Sequence, residues 1–341
     1  TLHEEHVGVW RELWGEGGVE VEGNGTVAAS VNASLWALLA NTVNSKYSTS
    51  PGGVGSDAYH GHTFWDAEFH VMPGLTVLYP SVVEDMLEYR LQRVDTAEER
   101  ARGYGFSGAM FPWESAFTGL DTVQPPNIEG IFEQHVNGDI ALAVRRLWYA
   151  QKNATTLQRY WPLLNGTCMF WLYQTEGSAS AMGNWTIKKV QPPDESAGAI
   201  DDSAYTNAIA AQTLAFCIEA ASILHLSSDA RWKPRAVAPF LPLNASLYHG
   251  GPVHPEYSDF HSKQINQADV QLLQFPLQVE MPVDVAKNDL NFYDPLIPSN
   301  GMYTGDLAIA IAWLQLGSRE AADASFQTAF EHMDYEHFYT W

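Results

Sequence analysis

Apolar positions along this chain recur mainly at helical spacing, with little strict alternation. Residues 3–14 read as an amphipathic helix, and residues 30–44 place Leu35, Leu38 and Leu39 on one face. Pro80 stands where the first turn of a helix tolerates proline, ahead of a helix over 82–94. Further helices are expected over 128–151, 156–175, 201–226, 266–274, 283–290, 302–316 and 318–332, with a short piece at 229–236 that Pro234 weakens. The strongest start signal is Asp201-Asp202-Ser203, just before the apolar run 208–223. The pattern predicts about ten to twelve helices. Two weak strand signals, at 18–27 and 183–190, suggest hairpins. Long Gly/Pro-rich loops recur at 48–61, 105–129, 177–200 and 243–262. With no linker, repeat or low-complexity segment to divide it, residues 1–341 read as one large all-α domain.

Composition narrows the function. The formal net charge is -22, from 40 acidic and 18 basic residues. That balance argues against nucleic acid, which is held by Lys and Arg on phosphates, and against anionic membrane surfaces. No apolar run approaches the ~20 residues needed to span a bilayer. Six Asn-x-Ser/Thr sequons, at Asn24, Asn32, Asn153, Asn165, Asn184 and Asn244, exceed the roughly two expected by chance. They point to glycosylation and to a secreted, vacuolar, lysosomal or cell-surface location. Cys168 and Cys217 both lie in apolar helical stretches, as one disulfide or as two buried thiols. The first residues, Thr1-Leu2-His3, are neither an initiator Met nor a signal peptide, so a processed chain or part of a longer one is expected.

The candidate chemistry lies in the loops. Trp65-Asp66, Trp113-Glu114 and the Glu195 loop each set carboxylates beside aromatic rings or prolines. Rings stack on the CH faces of a sugar, and carboxylates and amides read its hydroxyls. Inverting glycosidases need two carboxyl groups ~6.5–9.5 Å apart, a protonated acid and a base that activates water. Glu195 is the candidate acid: Pro192 and Pro193 stiffen its approach, and no Lys or Arg adjoins it. His135 and Asn137 sit early in one expected helix, and Lys263, Gln264, Gln267 and Asp269 at the start of another. The bland readings are a buried Trp65, a helix-capping Asp66, a core His135 and an Asp269 that favours a helix dipole. The spacing of His60, His62 and His70 makes no zinc motif, so no metal or other cofactor is expected. No phosphate-binding glycine loop or serine-hydrolase elbow is visible.

Six strings, in order, resemble glycoside hydrolase family 65. They are Gly61-His62-Thr63-Phe64-Trp65-Asp66, Ala109-Met110-Phe111-Pro112-Trp113-Glu114-Ser115-Ala116, His135-Val136-Asn137-Gly138, Pro193-Asp194-Glu195, Tyr205-Thr206-Asn207 and Gln267-Ala268-Asp269-Val270. The Phe-Pro-Trp-Glu-Ser-Ala form is most similar to the branch acting on glucosylgalactosyl-hydroxylysine. The resemblance implies an (α/α)6 barrel, without the family's N-terminal β-sandwich and C-terminal β region, which separate chains would then supply. It implies Glu195 as general acid and Trp65, Asp66, Trp113, Glu114, Lys263 and Gln267 as the glucose subsite, with His135, Asn137 and Gln264 beside it.

Three positions depart from the family pattern. Asn266 stands where the family has Lys before Gln-Ala-Asp, so Lys263 would substitute from about one turn away. Ser196-Ala197 follow the acid where Tyr-His is usual. The family's base lies in a Trp-x-Glu string that matches residues 338–341, and would fall just past Trp341. The expected function is inverting release of glucose from an α-glucosyl disaccharide or glycosylated hydroxylysine. The alternatives are a non-catalytic sugar-binding or structural module in a secreted assembly, and a disaccharide phosphorylase.

Overall fold

The computed structural model describes residues 1–53, 56–175, 184–237, 239–298, 302–331 and 333. Among them there are thirteen α-helices and no extended sheet, only isolated bridges. The helices are α1 (Leu2–Glu16), α2 (Gly25–Thr42), α3 (Met72–Leu78), α4 (Pro80–Leu91), α5 (Val94–Gly103), α6 (Glu129–Phe132), α7 (Val136–Gln151), α8 (Ala154–Gln174), α9 (Ala204–Ile223), α10 (Trp232–Ala236), α11 (Val283–Tyr293), α12 (Asp306–Gln315) and α13 (Arg319–Thr328). No described helix is long and apolar enough to cross a membrane.

Burial marks α7 and α9 as inner helices. α7 is buried along 136–144, and α9 buries fourteen of its twenty residues. Such all-round burial marks a helix enclosed by others. α3 packs on α7, α7 on α9, α9 on a 3-10 turn at Val270–Leu273, and that turn on α12. Each inner element has an outer companion: α4 behind α3, α8 behind α7, α10 behind α9, α11 behind the 3-10 turn and α13 behind α12. These five successive pairs are consistent with an (α/α)6 barrel. Close approach is enforced locally at Gly138, where a Cβ would lie 2.6 Å from Ile209 Cγ1 on α9. A disulfide between Cys168 on α8 and Cys217 on α9 ties the outer layer to the inner one, deciding between the two readings of these cysteines.

Several expected elements are corrected. The helix over 128–151 is broken between α6 and α7, because His135 turns inward to bond Asp139. The helix over 266–274 shrinks to the turn Val270–Leu273, since the residues before it give their polar groups to another loop. The hairpin at 18–27 is absent: Asn24 caps α2, its Oδ1 accepting from Thr26 N and Val27 N, both at 3.1 Å. The described part of 183–190 makes single bridges, Trp185 with Pro239 and Val190 with Ile200, and no hairpin. α3 and α5 were not expected. Pro73 and Gly74 disguise the first, and the charged sequence of the second hides a face that buries only Val94, Ala97 and Ala101.

Candidate active site

The Trp65 and Trp113 loops are one unit. Thr63 and Ser115 exchange backbone hydrogen bonds at 2.8 and 3.0 Å. His62 Nδ1 bonds Glu114 Oε1 at 2.6 Å, and Phe64 meets Trp113 edge-on at 4.9 Å. Asn137 holds the Trp113 loop from inside: its Oδ1 accepts from Phe111 N at 2.8 Å, while its Nδ2 donates to Gln134 O at 2.8 Å. The Asn137 amide is thus occupied by backbone partners. Behind Trp65-Asp66 a single π-helical turn, Ala67–Val71, carries Glu68 into the core. There Arg90 donates to both Glu68 oxygens, at 2.7 and 3.1 Å, and to Phe64 O at 3.2 Å. π turns inside helices are often found at functional sites.

Trp65 is buried, with its ring edge-on to His135 at 4.9 Å. Asp66 heads the π turn without capping it. Burial pushes its carboxyl up to about 6, with Glu68 and Asp139 adding to the shift and His135 opposing it. His135 is fully buried between two carboxylates, 2.7 Å from Asp139 Oδ2 through Nδ1 and 3.1 Å from Glu133 Oε1 through Nε2. Burial works against its charged form, but Asp139 and Glu133 outweigh it and raise the imidazole to about 10. The Tyr205 hydroxyl donates to the other Asp139 oxygen at 2.6 Å.

Glu195 lies half-buried at the head of a 3-10 turn, Glu195–Ala197. Its loop is held from residues 263–269. Gln267 donates to Pro193 O, Lys263 Nζ to Ser196 O at 3.2 Å, and Asn266 N to Asp194 Oδ1 at 2.8 Å. Asp269 Oδ2 accepts from Asp194 N at 3.3 Å. Gln191 closes the other side, donating to Glu195 O at 3.0 Å. Asp194 points away from its neighbour and binds Ser196 through its backbone N–H and its hydroxyl. Burial raises Glu195 to about 7, with Glu129, Asp66 and Asp194 adding repulsion against the pull of His135. Below the loop, Glu256 and Asp269 are fully buried, and burial holds both well above the usual carboxylate range, with Asp269 and Asp194 adding repulsion at Glu256 and Asp194 at Asp269.

Trp65, Asp66, Trp113, Glu114, His135, Asn137 and Glu195 therefore fall in one connected region. Lys263 and Gln267 reach it through the backbone of the acid loop, and Gln264 is exposed beside them. Residues 334–341, which include the stretch 338–341 matched to the base string, lie outside the described residues. Sequence reasoning missed Glu133, Gln191, Glu256 and Arg90. Helical spacing runs straight through 128–151, so the pattern carried no signal for a break at Glu133. The sequons divide: Asn24, Asn32, Asn153 and Asn165 are exposed and Asn244 is half-buried, while Asn184 is half-buried and spends its amide N–H on Pro239 O at 3.2 Å.

The glycosyl hydrolase family 65 central catalytic domain matches residues 34–239. A protein-glucosylgalactosylhydroxylysine glucosidase of Dictyostelium discoideum is 33% identical over 100% of this chain and 48% of its own length. A kojibiose hydrolase of Mucilaginibacter mallensis is 32% identical over 96% of this chain and 48% of its own. The chain thus spans about half the length of these curated relatives. A solved structure described as a kojibiose phosphorylase from the human microbiome superposes with a TM-score of 0.75 at 16% identity, over 88% of this chain and 46% of that one, which speaks to the fold alone.

Proposed function

The chain belongs to glycosyl hydrolase family 65, and from that premise we propose that it is the single-domain barrel of an inverting glycosidase. Its substrate is an α-glucosyl unit on a second sugar or on glycosylated hydroxylysine. Glu195 protonates the leaving oxygen, and water is activated by a carboxylate outside the described residues. Trp65, Asp66, Trp113 and Glu114 bound the glucose subsite, His135 supports it, and Lys263, Gln264 and Gln267 border it on the acid side.

The observation that carries this reading is Glu195 itself. A carboxyl raised to about 7 keeps its proton near neutrality, as a general acid must. The intact grip on its loop from Lys263, Asn266, Gln267 and Asp269 favours a working acid over a disabled barrel. The disulfide and the exposed sequons support an oxidising, secretory route.

Glucose release from glucosylgalactosyl-hydroxylysine, kojibiose and trehalose, with and without phosphate, tests the reading. Phosphate-independent release of β-glucose is expected, falling as pH rises through about 7 because the acid loses its proton. Glu195→Gln is expected to lower kcat/KM by ~10²–10⁴-fold without unfolding the protein. Phosphate-dependent release would move the assignment to a phosphorylase, and no release from any substrate to a sugar-binding module.

A further inference from the structure

The acid loop leaves the core at Val190 and returns at Ile200. These two residues exchange backbone hydrogen bonds at 2.9 and 2.8 Å, closing the loop at its base. Within it, Pro192 and Pro193 have no N–H with which to brace the backbone. Side chains brace it instead. Gln267 takes the middle of the loop from outside, at Pro193 O. The head of the loop is held from within, by Gln191.

Gln191 is the first residue past the closure, and it is buried. Its backbone N–H donates to Phe132 O at 2.8 Å, at the end of α6. From that fixed base the side chain reaches four residues on, and Nε2 donates to Glu195 O at 3.0 Å. The same nitrogen approaches Glu129 Oε1 on α6 at 3.4 Å. The amide oxygen of Gln191 is buried and meets no hydrogen-bond partner among the described residues. Two acceptors thus settle which way the amide points, since turned over it would set its oxygen against both. Burying an unpaired amide oxygen is unfavourable, so stability alone accounts poorly for this side chain.

We propose that Gln191 is a positioning residue for the acid: its amide ties the Glu195 carbonyl to α6 and so fixes the turn that aims the acid carboxyl at the leaving oxygen. The inference rests on the reading of Glu195 as the acid. Gln191 neither gives nor takes a proton, and acts only through Glu195. The backbone carbonyl and the side chain of Glu195 share one Cα, so a turn that shifts the first swings the second. Proton transfer needs its heavy atoms within ~2.6–3.2 Å, and a small swing removes that reach. The Glu195 carbonyl is the natural point to hold, because Gly198 N–H also donates to it, at 3.1 Å. Glu129 is gathered by the same amide. After burial, it is the first of the charges that raise Glu195, which agrees with the closeness the shared nitrogen imposes.

The choice of leaving group separates a misplaced acid from a damaged fold. A sugar leaving oxygen needs a proton, whereas α-glucosyl fluoride releases fluoride without one. The full-length natural polypeptide is assayed on α-glucosyl fluoride and on the best substrate among glucosylgalactosyl-hydroxylysine, kojibiose and trehalose. Wild type, Gln191→Met and Glu195→Gln are compared. Met matches Gln in length and cannot donate. Gln191→Met is expected to lower kcat/KM on the sugar substrate by about 10- to 100-fold, and on the fluoride by no more than about threefold. Equal losses on both substrates, or no loss on the sugar, overturn the proposal. Gln191→Asn keeps the amide but is one methylene too short to reach Glu195 O. The same selective loss is expected of it, and its absence overturns the proposal even if Gln191→Met fails to fold. Glu195→Gln tests the acid by itself and is expected to show a larger loss of the same selectivity. If it lowers both substrates alike, or if the wild type releases glucose from no sugar substrate, the reading of the acid falls and the proposal with it. If Glu195→Gln is selective and the Gln191 variants are not, the positioning role alone falls.

Discussion

The charge of Asp66 helps to raise Glu195, yet the two are held by different physics. The Asp66 side rests on a packed core: a π turn, the buried Arg90–Glu68 pair and aromatic edges from Trp65, Phe69 and Tyr205. The Glu195 side is irregular backbone, kept in place by hydrogen bonds from a loop some seventy residues away. Below it lie carboxyls that would repel one another if ionised. The core side gains its rigidity from burial and paired charge. The acid side accepts unpaired carboxyls because an acid that must keep its proton near neutrality needs burial and like charge around it.

The sharpest way to break this comparison is at Arg90. Arg90→Met strands Glu68 in the core, and chemical denaturation is expected to show a loss of about 3–5 kcal/mol, as for other broken buried pairs. A loss below about 1 kcal/mol would mean that the Asp66 side does not depend on the pair. Asn137→Ala comes next. It leaves the buried N–H of Phe111 without its acceptor, with an expected cost of about 1–3 kcal/mol. It also loosens Trp113-Glu114, so KM should rise more than kcat falls. Equal effects on both would assign Asn137 to fold stability alone. The smallest effect is expected at Lys263, whose bond to Ser196 O is at the surface. Lys263→Met should stay within about 0.5 kcal/mol in stability, while lowering glucose release through a looser acid loop. Unchanged kinetics would show that Gln267, Asn266 and Asp269 hold that loop without it.

Much of this was legible beforehand, for reasons that differ by region. Trp65-Asp66, Trp113-Glu114 and Pro193-Asp194-Glu195 are contiguous strings, and contiguous chemistry can be read from a chain. Arg90 could not be: it sits in an amphipathic helix where a lone arginine looks like any solvated charge, and only the turn of α4 against the π turn buries it. Glu133 was obscured for the opposite reason. The helical pattern ran straight through it, and the break appears only because His135 prefers Asp139 and Glu133 inside the barrel to solvent outside. The expected helix at 266–274 failed likewise, its leading N–H and amide groups being taken by the acid loop.

By itself the sequence determined that this chain is a large all-α domain and which short strings carry its chemistry, because helical spacing and contiguous motifs are local properties. Only the tertiary structure decided which carboxyls are buried, which are paired and which keep a proton. Desolvation and charge proximity depend on what the fold brings near, and for Glu133, Glu195, Glu256 and Asp269 those neighbours come from distant parts of the chain.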